Sequence, residues 1–166
     1  MADQKHLELL TSSKTLWNKW RQEYADVQAL EPDLHEADLH GADLQGVDLH
    51  GVDLTEANLQ GADLSEADLS EVDLRNANLR NANLSDSNLL KAHLRWADLR
   101  NAKLCRSNLR QADFSKADLR GADLDGANLL KAIFDEAKMS RVDHAEVDLG
   151  TLDIHEVELE HAEVQV

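Results

Sequence analysis

Residues 41–64 read GADLQGVDLHGVDLTEANLQGADL. A small residue, an Asp or Asn, a Leu and two freer positions return every five residues. A period of five fits neither the 3.6-residue turn of an α-helix nor the two-residue pleat of a strand. Within each pentad, however, the small residue and the Leu stand two apart. On a short extended segment they point the same way. The remaining three positions are polar, so they face water or form a corner. Each pentad is then one side of a coil, with two residues facing in.

Stepping by five from Leu34 reaches Val164 through 27 pentads without one insertion, and 21 of the centres are Leu. An unbroken register of that length marks a repeat architecture rather than a local pattern. Two residues before each centre stands Ala in 17 pentads and Val in six; Pro32, Ser87, Ser107 and Leu152 are the exceptions. Ser87 and Ser107, 20 residues apart, are expected to hydrogen-bond backbone inside the coil. The Asp or Asn before each Leu can hydrogen-bond the local backbone and hold the corner. Stacked carboxylates repel, and Asn58, Asn78, Asn83, Asn88, Asn108 and Asn128 interrupt them. Gly41, Gly46, Gly51, Gly61, Gly121 and Gly126 all take the last pentad position, where Gly eases a turn. Glu and Asn also stand there, so Gly is not obligatory.

This pattern resembles the pentapeptide repeat family, whose consensus is A(D/N)LXX. The likeness covers residues 32–166 and is regular to about Ser140. It implies an all-β repeat solenoid: a right-handed quadrilateral β-helix of about seven coils, four pentads to a coil, with an N-terminal α-helical cap. At roughly 4.8 Å per coil the rod is about 30 Å long. Neighbouring coils bury a ladder of Ala and Leu that one coil could not bury alone.

Three segments follow. Residues 1–30 lack the repeat; Leu16, Trp17, Trp20, Tyr24 and Val27 recur at three- and four-residue spacing after Ser12 or Ser13, an N-cap. This predicts an amphipathic helix laid over the first coil, its aromatic stripe facing the core. The WNKWR of residues 17–21 resembles the leader of cyanobacterial members of the family. Residues 31–140 are the regular β-helix. Residues 141–166 are degenerate repeats: His144 replaces a Leu, and HEVELEHAEVQV alternates like a strand. An uncovered last coil is an open edge, which predicts a homodimer through the C-terminal coil. The alternative is that the acidic residues there keep a monomer's edge soluble.

The single Cys rules out an internal disulfide and suits a reducing compartment. No apolar run reaches 18 residues, and the N-terminus lacks a signal-peptide layout. A soluble, cytoplasmic protein with no membrane span is expected. Net charge is −16, unevenly spread: −12 over residues 31–75, +3 over 76–140 and −7 over 141–166. The family includes members that mimic DNA and bind type II topoisomerases. Here the basic middle interrupts the continuous negative field a mimic needs. Direct nucleic-acid binding is disfavoured too, because strong negative charge flanks the basic segment.

Residues 20 apart stack on one face, so Arg80, Arg100 and Arg120 align, as do Arg75 and Arg95 on the adjacent face. Trp96 points outward between Asn76 and Lys116, the only aromatic in an outward slot of the repeat. Exposed Trp beside Arg is hot-spot composition. Trp96, Arg75, Arg95, Arg100 and Lys116 are the candidate partner-binding residues; alternatively Trp96 merely stacks on a neighbouring cation. His35, His40 and His50 sit in outward slots, and a convex surface offers few convergent metal ligands. Neither metal nor cofactor is expected. Cys105, near Arg100 and Arg106, is either a thiol with depressed pKa or an inert one. Phosphate loop, nucleophile–base pair and paired acid/base carboxylates are all missing, which points away from an enzyme. The expected function is non-enzymatic binding or scaffolding with an unidentified protein partner. The alternatives are a topoisomerase-directed DNA mimic and a self-associating structural rod.

Overall fold

A computed structural model describes residues 2–24 and 32–143. Parallel bridges join each Asx position to the one 20 residues on, from Asp33↔Asp53 through Asp123↔Asp143. That register is a coil of four pentads. Five coils, 32–131, and part of a sixth lie within the described residues; the remaining repeats, His144 and the expected dimer edge lie outside them. Each side contributes one bridged residue, because the corner takes two of every five. The sides are therefore isolated bridges rather than multi-residue strands.

Each corner closes with a hydrogen bond from the small residue's amide to the preceding centre's carbonyl, as in Ala57 N to Leu54 O at 3.1 Å. The second corner residue has positive φ in every pentad from Glu36 to Arg141. A negative then positive φ across an i to i+3 bond is the type II pattern. The Asx carboxyl or amide fixes the other half: His35 N donates to Asp33 Oδ1 at 2.9 Å, and Ser65 N to Asp63 Oδ1 at 3.0 Å. Between coils, Asn58 Nδ2 donates to Asp38 Oδ1 and Asn83 Nδ2 to Asp63 Oδ1. Each amide thus donates to the carboxylate of the preceding coil, where a second carboxylate would repel it.

The interior is a dry aliphatic ladder. The Leu centres and the Ala and Val positions are buried nearly throughout, and Phe114 stacks on Phe134 at 5.0 Å between centroids. The Ser87 and Ser107 hydroxyls donate to Leu84 O and Leu104 O at 2.6 Å, as expected of serines in an Ala column.

The N-terminal segment forms two helices, not one: α1 (Gln4–Ser12) and α2 (Lys14–Glu23). Ser13 is the reason. Its extended backbone ends α1, and its hydroxyl accepts from Leu16 N to start α2. Trp17 is fully buried and Trp20 packs partly against the core. Leu16 and Tyr24, expected in the core stripe, are exposed instead. The reason is that α2 meets the coil through a narrow line of side chains. Val27 lies outside the described residues. Asp48 has no coil beneath it, and α2 stands in for one. Trp17 Nε1 donates to Asp48 O at 2.6 Å, while Asp48 N donates to Asn18 Oδ1 at 2.9 Å. Asp3 N does the same for Asp33 O at 2.9 Å. Among the described residues no helix is long and apolar enough to cross a membrane.

Candidate interaction site

The ladder register decides which outward side chains meet. Trp96 is the second residue of its corner, at φ 63°, with its amide held by Ser115 O at 3.1 Å. The corner aims its indole outward, and it is 56 % exposed. Twenty residues on, Lys116 places its Nζ 4.7 Å from the ring centroid and 3.5 Å from Glu136. The Lys ammonium is shared between an aromatic face and a carboxylate.

Arg75 and Arg95 stack beside this corner. With Thr55, Glu56, Asn76 and Trp96 they line one shallow depression. They differ in freedom. Arg75 follows Asp73 by two residues and is clamped to it, Nε to Oδ1 at 2.8 Å and Nη2 to Oδ2 at 2.6 Å. Burial pushes the Asp73 carboxyl up, but the Arg75 fork and amide outweigh it and hold its pKa below the ordinary Asp value. At the equivalent place before Arg95 stands His93, so Arg95 reaches Asp113 one coil on, at 3.8 Å.

Arg100 does not join this depression. Its Nε donates to Asp98 Oδ1 at 2.8 Å, and it lies 3.7 Å from Asp118. It lines the next depression with Arg80, Asn101, Arg120, Gly121, Ser140 and Arg141. Four of the five candidate residues are thus neighbours, and the fifth belongs to a second cluster. Stepping by 20 finds Arg80, Arg100 and Arg120. It misses Arg141, which occupies the second corner position rather than the first.

The Cys105 thiol donates to Asp123 Oδ2 at 2.8 Å, and its pKa is pushed up, first by burial and then by that carboxylate. The neighbouring arginines do not depress it. His35 Nδ1 meets Thr55 Oγ1 at 2.6 Å and His50 Nδ1 meets Ser70 Oγ at 2.9 Å, each one coil on and on different faces. Among the described residues no group of three or more His, Cys, Asp or Glu is placed to hold a metal.

The family model for pentapeptide repeats matches in eight copies across residues 33–143. No match was found among the curated proteins. Among solved structures, the pentapeptide repeat protein Rfr23 from the cyanobacterium Cyanothece 51142 is 30% identical, with TM-score 0.66, over 76% of this chain and 97% of that one. HetL, a pentapeptide repeat protein involved in heterocyst differentiation regulation from Nostoc sp. strain PCC 7120, is 32% identical over 64% and 61% of the two chains, with TM-score 0.41. QnrB1, a plasmid-mediated fluoroquinolone resistance protein, is 19% identical over 79% of each chain, with TM-score 0.45. Matching pentapeptide repeat proteins fold as right-handed quadrilateral β-helices, which is the coil that a four-pentad register builds. On its repeat, its register and the match over residues 33–143, this chain belongs to the pentapeptide repeat family.

Proposed function

We propose that this chain is a non-enzymatic binding module whose coil surface is read by a protein partner at the Trp96 corner. The observation that carries the reading is a 56 % exposed indole on a left-handed backbone. A side chain in that conformation costs about 1–2 kcal/mol, and six corners of this rod avoid the cost with Gly. The contact with Lys116 returns only about 0.5–1 kcal/mol. Fifteen other described corners carry a non-Gly residue at the same positive φ, so the backbone does not single out Trp96; its exposed indole does. Trp and Arg are the residues that dominate binding energy. Here the indole sits on a backbone fixed by the ladder, so little freedom is lost on binding. Arg75 is fixed by its clamp, and Arg95 and Lys116 hold looser partners that an acidic group on the partner can displace. Arg100 stands one corner away and contributes at the rim.

The test is affinity capture with wild type beside Trp96→Ala and Arg95→Ala. Trp96→Ala is expected to cost about 2 kcal/mol of binding, roughly 30-fold, with weak dependence on salt. A partner held equally by wild type and both variants removes the corner from the interface. Strongly salt-sensitive inhibition of topoisomerase supercoiling, indifferent to Trp96, would replace the proposal with DNA mimicry.

A further inference from the structure

The second depression has a different chemistry. Arg80, Arg100 and Arg120 occupy the first position of one corner in three successive coils, and Arg141 the second position in the next. The corner amides are already used in the ladder: Asn81 N donates to Arg100 O, Asn101 N to Arg120 O and Gly121 N to Ser140 O. Any anion held here must be held by side chains.

Those side chains are arranged as two clamped cations between two unclamped ones. Arg100 and Arg120 each present Nε and Nη2 to the carboxylate two residues before them, Asp98 and Asp118. The clamp fixes each guanidinium plane and leaves its Nη1 edge uncommitted. Arg80 has Asn78 at that place. Its Nε is buried without a hydrogen-bond partner, and its guanidinium has no ion pair among the described residues. Arg141 likewise has no side-chain partner among the described residues. Four cations meet two carboxylates, so the depression is net positive on a chain of net charge −16. On the adjoining sides Lys103 and Lys138 are balanced by Asp123 and Asp143, so the excess of two positive charges stands. Gly121 keeps its floor open: a Cβ there would meet Asn101 Oδ1 at 2.6 Å.

We propose that this arginine ladder is a binding site for an oligophosphate, a short ligand carrying adjacent phosphoryl groups. Guanidinium forks match phosphoryl oxygens, and neighbouring coils repeat them about every 4.8 Å. An extended acidic peptide brings same-face carboxylates only about every 6.6 Å, so it sets less charge over the depression than adjacent phosphoryl groups do. A long polyanion would run on over the acidic coils, where residues 31–75 carry −12. A compact ligand with dense charge meets only the positive depression.

Calorimetric titration of the full chain with tripolyphosphate at low salt tests this. Saturable 1:1 binding is expected, weakening as NaCl is added. Orthophosphate, which spans one fork, is expected to bind about tenfold or more weakly, and an Arg80→Gln/Arg141→Gln variant to lose about tenfold or more. Unchanged melting of that variant shows that it folds, and Trp96→Ala should bind as wild type does. ATP in parallel identifies the source: equal affinity means phosphate alone is read, and tighter binding means a nucleotide. The proposal fails if tripolyphosphate does not bind, if the double variant binds it equally, or if a poly-aspartate peptide binds more tightly.

Discussion

At the scale of single residues the corner sets the terms. Every second corner residue from Glu36 to Arg141 has φ between 55° and 72°, yet only six are Gly. The others accept strain because the ladder fixes their neighbours. Gly121 and Gly61 separate two reasons for Gly. Around Gly61 a Cβ would meet nothing within 4 Å, so Gly61→Ala carries conformational strain alone, about 1 kcal/mol. At Gly121 the same Cβ would meet Asn101 Oδ1 at 2.6 Å, so Gly121→Ala must also displace that amide. Thermal melting should rank them, with Gly61→Ala down by about 2–4 °C and Gly121→Ala lower still. Equal shifts would mean that Asn101 yields freely. The sequence displays Gly at these positions but not the conformation. Glu, Lys and Trp at other corners hide the positive φ, because a propensity gives way where a repeat over-determines the backbone.

At the scale of elements the cap shows how side chains can replace a missing coil. Asp48 N–H and C=O would each face a lower coil; Asn18 and Trp17 meet both from α2. Lys14 adds a contact to Asp43 at 2.6 Å, and Arg21 donates to His50 O. Trp17→Ala removes a fully buried indole together with its hydrogen bond, and about 3–5 kcal/mol of stability is expected to go. The loss should be local first, because each coil touches only its neighbours. Amide exchange should therefore quicken in residues 33–50 before residues 92–112. Uniform quickening would mean that the rod unfolds as one unit. The helical character of this segment and a cap at Ser12 or Ser13 are legible in the sequence. The break into two helices is not, since Ser12 and Ser13 are equally good caps until one carbonyl, Leu9 O, takes the Ser13 amide. The exposure of Leu16 and Tyr24 was hidden for a related reason. A 3.6-residue stripe says which residues share a face, not how wide a strip of that face the neighbour covers.

Across the whole molecule charge works in two ways, and their ranges decide the outcome. Coils within residues 31–75 carry net −12 with one base, while Arg100, Arg106 and Arg120 sit in short contacts such as Arg106 Nε to Asp86 Oδ1 at 2.8 Å. Linear stepping by 20 made the arginine columns legible, because a register without insertions turns sequence distance into height. Which arginines are free was not legible from the columns alone. It depends on whether the residue two places back is Asp, as before Arg75, Arg100 and Arg120, or Asn or His, as before Arg80 and Arg95. Salt should act on the two populations unequally. As NaCl rises from about 0.02 to 0.5 M the Debye length shrinks from roughly 20 Å, about four coil heights, to about one coil height, so the repulsion summed over the acidic coils is progressively screened. The clamps act well inside that distance, and exposed pairs are each worth only about 0–1 kcal/mol. Relief of repulsion therefore exceeds loss of pairing, and the melting temperature is expected to rise by several degrees as NaCl goes from about 0.02 to 0.5 M. A fall would mean that the arginine clamps, rather than the aliphatic ladder, hold the middle coils together. Replacing Arg106 by Gln, which leaves the interior intact, should then abolish part of the fall. If the rise is seen instead, the same variant should melt close to wild type at every salt level.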